Sequence, residues 1–261
     1  MVKYYNMKLK IKLLLILFIN VFESNAQQFI TRGAIEFEVI TNEKKKMSDA
    51  SYLADIKATM PTFKTAYYKY TFADNKSIYK FDHYDETKAK VPEFIKDGED
   101  LNEWFNDFST GITYIQKSIW ESPFNLKDSI KNIQWKLSNE HRKIAGFDCR
   151  KAVGKIMDSV YVFAFYTEEI VISGGPCTIN GLPGMILGVT IPRMYTSMMA
   201  TKLIVNDIKV ETIKPVLAKK YYTPKELKSL LDKRFENNGN DNEESEDNKN
   251  WKHQLYWNLL L

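Results

Sequence analysis

Apolar and polar residues alternate along much of the chain, and this alternation predicts β-strands. In residues 33–40 the apolar side chains Ile35, Phe37 and Val39 are separated by single glutamates, as in a strand with one buried face. Residues 160–166 are apolar or aromatic throughout, which is typical of a strand that is covered on both faces. Both segments are therefore predicted to belong to a sheet.

A hairpin is predicted between residues 65–73 and 77–84. Aromatic residues recur at every second position in both segments, and Asp74-Asn75-Lys76 lies between them. Asp and Asn tolerate the left-handed backbone of tight turns, so these residues are predicted to join two antiparallel strands. Residues 85–111 show no clear period and are interpreted as loops with a short helical turn near Trp104.

The later part of the chain reads as a meander of strands with short connections. The predicted strands are 113–120, 125–130, 134–138, 147–156 and 159–166, with further strand material in 178–207. Many strands and few crossover helices predict a mainly β (α+β) fold with a few helices. The sheet is expected to be a single, strongly curved antiparallel sheet or an open half-barrel.

Helices are predicted at two places. Ser48 is a suitable N-cap for a helix that ends near Thr59. In Thr223-Pro224-Lys225-Glu226, Thr stands at the N-cap, Pro at the first helical position and Glu close behind, which predicts a helix to about Phe235.

The two ends of the chain are predicted to lie outside the β domain, which spans 27–235. Residues 1–26 have a basic start, the apolar run 13–22 and the small residues Ser24-Asn25-Ala26, the pattern of a signal peptide cleaved after Ala26. The run is shorter than the roughly 20 residues that cross a bilayer. A periplasmic or secreted protein with no transmembrane segment is therefore expected. Residues 236–250, rich in acidic side chains and Asn, are predicted to be a flexible linker, and 251–261 an aromatic amphipathic tail.

Composition excludes some functions. The 261 residues contain 37 Lys and Arg against 33 Asp and Glu, a net charge of +4 that comes mostly from residues 1–26. So balanced a mature chain gives no electrostatic reason to expect a nucleic-acid partner. Three His and two Cys leave little material for metal or nucleophile chemistry, and their spacing assembles no catalytic arrangement. We therefore predict a protein that is not an enzyme and that needs no cofactor.

The densest motif is the segment 173–184, here called the signature loop. Its candidate functional residues are Gly175, Pro176, Gly181, Leu182, Pro183 and Gly184. Pro followed by Gly suits a type II turn, so a rigid turn is predicted at the start of a buried strand, 185–190. A phosphate-binding loop would need a Lys after its last Gly, and a nucleophile elbow would need Gly-x-Ser-x-Gly; the segment has neither.

The hexapeptide Gly181-Leu182-Pro183-Gly184-Met185-Ile186 resembles the signature of the GLPGLI family of exported Bacteroidota proteins. Further blocks agree in order upstream: Trp135-Lys136, residues 144–152 and residues 164–168. Met185 replaces Leu, and Val162 and Phe165 stand where Trp is usual. The resemblance covers about 134–188 and implies export and a β-rich fold, but the family has no established activity. Residues 146–149 also resemble lipoprotein-carrier (LolA-like) proteins, whose open half-barrels hold acyl chains.

Cys149 and Cys177 are the only cysteines. Export favours a disulfide between them, and two free thiols are the alternative. A further, less favoured hypothesis is a copper site, because Met and Cys are soft ligands and four methionines lie near Cys177. Those methionines are Met185, Met194, Met198 and Met199.

Two functions are hypothesised. The leading one is a non-enzymatic periplasmic binding or carrier module for a hydrophobic ligand or peptide, held against aromatic strand faces. These faces comprise Tyr68, Tyr70 and Phe72 on one strand and Tyr161, Phe163 and Phe165 on another. The alternative is an assembly or interaction partner of an outer-membrane complex, which docks through an exposed aromatic tail, 251–261.

Overall fold

The computed structural model describes residues 29–47, 53–96, 98–119, 122–157, 159–205, 208–237 and 246–261. The predicted signal peptide, the Ser48 cap and most of the predicted linker lie outside these residues. Eleven strands are described: β1 (Gly33–Asn42), β2 (Phe63–Ala73), β3 (Lys76–Tyr84), β4 (Glu103–Asp107), β5 (Ile112–Ile119), β6 (Ser122–Ser129), β7 (Trp135–Ile144), β8 (Phe147–Ile156), β9 (Val160–Thr167), β10 (Met185–Ile191) and β11 (Thr196–Ile204).

Helices are short in the first part of the chain and longer at its end. The α-helices are α1 (Glu43–Lys46), α2 (Ala54–Thr59), α3 (Glu93–Lys96), α4 (Pro224–Asn237) and α5 (Glu246–Leu260). Single 3₁₀ turns occur at Glu99–Leu101, Pro192–Met194 and Val210–Thr212. Among the described residues, no helix is long and apolar enough to cross a membrane.

The strands form one antiparallel sheet in the order β6-β5-β4-β3-β2-β1-β11-β10-β9-β8-β7. Its outermost strands, β6 and β7, have no ladder with each other in the described part of the chain, so the sheet stays open. The prediction of a mainly β fold with one open antiparallel sheet is confirmed. β1 lies in the middle of the sheet, and β2 to β6 extend the sheet on one side of it in chain order. The chain then crosses to β7 at the opposite edge, and β8 to β11 fill the other half back to β1.

The predicted hairpin is β2–β3. Asp74 and Asn75 form its turn and have φ angles of 50° and 58°. Positive φ at both central residues is the type I′ geometry, which matches the right-handed twist of the two strands. Asp and Asn adopt this conformation more easily than other residues with a Cβ, which is why this sequence turns here.

One face of the sheet, here called the inner face, carries most of the core. Register through the ladders places Phe37, Tyr68 and Tyr70 on it, together with Trp104 from β4. Their side chains are buried in one large apolar cluster, to which the signature loop and both C-terminal helices also contribute. The core therefore lies between the inner face and the segments that cover it.

The region around Trp104 is a strand, not the predicted helical turn. β4 places Trp104 on the inner face, while Phe105 lies on the outer face in a small separate cluster with Ile78 and Ile213. Both faces of this short strand are buried. The alternation that normally reveals a strand is therefore missing from its sequence.

Both C-terminal helices contribute side chains to the core. In α4 the hydroxyl of Thr223 accepts from the Glu226 N–H at 3.2 Å, and the Glu226 carboxylate accepts from the Thr223 N–H at 2.7 Å, so the predicted capping box is present. The next helix, α5, already begins at Glu246, within the interval predicted as linker. Its Trp257 is buried in the main core, so the predicted exposed tail is wrong.

Candidate ligand-binding site

The signature loop crosses the inner face of the sheet. Asn106 on β4 donates through Nδ2 to the carbonyl of Cys177 at 3.3 Å, and Trp135 on β7 donates through Nε1 to the carbonyl of Asn180 at 2.9 Å. β4 is third from one edge of the sheet, whereas β7 is the opposite edge. A loop only a few residues long reaches both strands because the sheet curves around it.

The turn at Pro183 differs from the predicted type II turn. The Gly184 N–H bonds to the Leu182 carbonyl at 2.8 Å, and the Met185 N–H bonds to the Ile170 carbonyl at 3.1 Å. In a type II turn the Met185 N–H would bond to the Leu182 carbonyl, but here it bonds to Ile170 instead. The φ of Gly184 is 139°, and a Cβ there would lie 2.1 Å from the carbonyl oxygen of Thr167. Only glycine fits this position.

The other signature residues are divided between core and surface. Leu182 is buried in the core, and its carbonyl accepts from the Ser173 hydroxyl at 2.7 Å. Gly175 packs against Ile186, and Pro176 is buried. Gly181 and Pro183 are exposed, with Gly181 beside the Trp135 indole.

Cys149 and Cys177 are both free and buried, so the favoured disulfide is not what the structure has. Cys149 lies on β8 next to the β7–β8 turn, and its thiol is 3.6 Å from the Phe147 carbonyl. Cys177 lies in the signature loop, beside Asn106 on the far half of the sheet. Burial raises the pKa of each thiol to about 12, which keeps both neutral and unreactive.

Beside Cys177 lies a buried group of side chains, here called the Lys117 chamber, which comprises Lys117, Trp104, Tyr68, Tyr79 and Cys177. Lys117 shares the inner face of β5 with Ile115 and Ile119, and it is only 9% exposed. Its Nζ lies 4.5 Å from the centre of the Trp104 ring. A lysine at an apolar position of a strand is uncommon and calls for a partner.

Polar atoms in the chamber lack partners. Among the residues that the structure describes, the Tyr79 hydroxyl and the Trp104 indole N–H are buried without a hydrogen-bond acceptor. The Lys117 ammonium contacts the Trp104 ring but has no carboxylate or carbonyl acceptor in the described part of the chain. Tyr68 stacks on Tyr79 with ring centres 5.0 Å apart. The chamber thus combines aromatic walls with several unused donors.

A buried ion cluster adjoins the chamber. Lys64 lies 3.2 Å from Glu43 and 2.5 Å from Glu99, and the Tyr84 hydroxyl donates to Glu99 at 2.9 Å. Burial by itself would lower the pKa of Lys64, but the charges of Glu99 and Glu43 outweigh it, so that its pKa is raised. Lys64 therefore stays charged and is already paired.

Lys117 behaves in the opposite way. Burial lowers its pKa to about 8, and the repulsion of Lys46 and Lys64 acts in the same direction. The charge of Glu99 favours the charged form of Lys117 but does not restore its ordinary pKa. The pKa values of the two lysines shift in opposite directions because Lys64 contacts Glu43 and Glu99, whereas Lys117 contacts no carboxylate among the described residues.

Two sequence-based groupings are not assembled. Tyr161, Phe163 and Phe165 lie on the outer face of β9, opposite Val162 and Ala164, and do not line the inner face. Met198 and Met199 are successive residues of β11 and point to opposite faces, so the copper-site methionines do not converge. The described residues contain no cluster of three His, Cys, Asp or Glu side chains placed to hold a metal.

Sequence reasoning missed Lys117, Trp104 and Glu99. A signal for Lys117 was present, because in Thr113–Ile119 it occupies the alternate position that its neighbours fill with Ile. Trp104 and Glu99 lie in the segment without a period and gave no signal. Only the folded sheet brings β2, β3, β4 and β5 together with the signature loop.

The chain is thus a β-rich protein whose single open sheet curves around the signature loop. No family model matches the chain, and no curated protein matches it. Two crystal forms of PNGF-II are similar in fold: 12% identity in each, TM-scores of 0.48 and 0.46, and coverage of 74% of this chain. The chain spans about a third of the PNGF-II chain, 32% and 30%.

An uncharacterized conserved protein from Thermus thermophilus is similar at 5% identity and a TM-score of 0.34. The match covers 72% of this chain and 88% of that protein. These likenesses concern the fold alone, and no residue role is taken from them.

Proposed function

We propose that this chain is an exported, non-enzymatic binding or carrier protein for a hydrophobic ligand or peptide, and that the Lys117 chamber receives the polar end of that ligand. The proposal is carried by the Tyr79 hydroxyl and the Trp104 indole N–H, which are buried without partners among the described residues. Next to them lies Lys117, only 9% exposed, whose ammonium contacts the Trp104 ring and pairs with no described carboxylate. Buried polar groups in folded proteins are almost always hydrogen-bonded, and an exception calls for a partner.

The energetics favour a bound acceptor. An unpaired donor away from water costs roughly 1–3 kcal/mol, and a charged one costs more. Lys117 lies over the Trp104 ring, which in turn packs with Tyr68 and Tyr79. A ligand that brings an acceptor would recover this energy, and its apolar part would gain contact with the rings.

Export and the GLPGLI resemblance are part of the same proposal. Two of the blocks that carry the resemblance adjoin the signature loop: Trp135 donates to the Asn180 carbonyl, and Thr167 pairs with Met185 directly after the loop. The interaction hypothesis loses its support, because it rested on an exposed tail and Trp257 is buried.

Native mass spectrometry tests the proposal. The full chain would be expressed with its N-terminal segment, purified without detergent from the cell envelope and measured intact. We expect cleavage after Ala26 and a population with an additional small-molecule mass that disappears on denaturation. A polypeptide mass alone, unchanged after incubation with an envelope lipid and peptide extract, would contradict a carrier function.

A further inference from the structure

We infer that the Lys117 chamber binds the carboxylate of a monoanionic amphipathic ligand, with the Lys117 ammonium and the Tyr79 hydroxyl as its donors. This inference rests on the proposed function and specifies the ligand class for the same site. It is drawn from the charge balance of the chamber, from its hydrogen-bonding inventory and from its aromatic walls.

The ammonium of Lys117 has no counter-charge in contact with it among the described residues. The buried carboxylates nearest to it, Glu43 and Glu99, are both already in contact with Lys64. Cys177 does not supply the missing negative charge, because burial raises the pKa of its thiol to about 12. A monoanion in contact with Lys117 would balance its charge.

The hydrogen-bonding inventory points to the same ligand. The unused groups of Lys117, Tyr79 and Trp104 are all available as donors, so the ligand must supply acceptors. The buried Asn106 Oδ1 also lacks a partner within the described residues, but as a neutral acceptor it cannot serve an anion. Two carboxylate oxygens can accept from an ammonium and a hydroxyl at once.

The walls of the chamber decide what carries the carboxylate. The rings of Tyr68, Tyr79 and Trp104 lie 5.0–6.3 Å apart from centre to centre, packed together next to the ammonium. An alkyl or aryl group attached to the carboxylate would pack against them. A phosphate monoester is a poorer fit, because its second charge would remain uncompensated beside Glu99.

The inference is tested with three probes of equal chain length: decanoate, decanol and decylamine. Binding to the intact purified protein would be followed by isothermal titration calorimetry and tryptophan fluorescence at pH 7. We expect decanoate to bind, and decanol and decylamine to bind about tenfold more weakly or worse, since a charged hydrogen bond is worth roughly that factor. Decanol or decylamine that bind as tightly as decanoate would overturn the carboxylate inference while leaving the proposed function intact.

Variants locate the site. Lys117→Met and Tyr79→Phe should each weaken decanoate binding about tenfold or more and leave decanol binding unchanged. Lys220→Met is the matched control, because Lys220 also lies over an aromatic ring, that of Tyr222, but is exposed. Decanoate affinity that survives both chamber variants overturns the inference, whereas binding of none of the three probes to the wild type counts against the proposed function itself.

Discussion

Lys117 is a residue at which folding and binding make opposite demands. An apolar side chain would pack better on the inner face between Ile115 and Ile119, and would avoid the cost of an ammonium without an acceptor. The chain nevertheless carries a charge there, over the Trp104 ring. Such a local conflict between stability and sequence is expected where a residue serves binding.

Replacing Lys117 by Met should therefore stabilise the ligand-free protein, and the gain should depend on pH. The pKa of Lys117 is about 8 in the folded protein and 10.5 when exposed, so the unfolded chain binds the additional proton between these values. Wild-type stability relative to Lys117→Met should then rise from pH 8 to 10.5, by up to about 3 kcal/mol. Urea unfolding of both proteins measures this difference, and a pH-independent difference would contradict it.

Gly184→Ala should destabilise the fold by more than positive φ alone explains. The backbone strain costs about 1–3 kcal/mol, and the clash with the Thr167 carbonyl adds to it. Gly111→Ala is the matched control, because Gly111 has a φ of 69° and no described atom lies within 4 Å of a Cβ built there. Thermal unfolding should show the larger loss for Gly184→Ala; equal losses would mean that the close approach is unimportant.

The two thiols can be counted directly. Cys149 and Cys177 should not react with a thiol-specific disulfide reagent in the folded protein, because both are buried and their pKa values are raised to about 12. After denaturation without a reductant, both should react. A reading of zero thiols in the denatured protein would restore the disulfide interpretation.

At the level of elements, exposure decides which strands can be predicted from the sequence. Strands such as β1 and β5 have one face that is largely polar, so their alternation and their positions were predictable. β4 was missed because Trp104 and Phe105 are buried on opposite faces. The helix α5 was only partly recognised, since acidic composition suggested a linker where Glu246 already begins a helix.

The C-terminal helix α5 is predicted to be a structural part of the domain. Trp257 is buried in the core, and the Arg193 guanidinium lies 4.7 Å from the centre of its ring. Trp257→Ala should cost about 3–5 kcal/mol of unfolding free energy, as for other large core truncations. Tyr161→Ala provides the comparison, because Tyr161 is 58% exposed on the outer face and its loss should change stability by less than about 0.5 kcal/mol. Similar urea midpoints for the two variants would mean that α5 is not held to the core.

At the scale of the molecule, the sheet curves around the chain's own signature loop. Asn106 and Trp135 hold that loop from opposite halves of the sheet, and the Lys117 chamber lies beside it. The fold class could be predicted because alternation is local. The site could not, because its residues come from four neighbouring strands and one loop that only the curvature brings together.

The most direct test of this account is the ionisation of Lys117 in the ligand-free protein. Lysine side chains labelled with ¹³C and ¹⁵N would be titrated by nuclear magnetic resonance, and the signal assigned by its loss in Lys117→Met. We predict that this ammonium titrates with a pKa of about 8 and that decanoate raises that pKa. A Lys117 signal that titrates near its exposed value of 10.5 in the ligand-free protein would show that the ammonium is already paired or solvated, and would contradict the chamber as described.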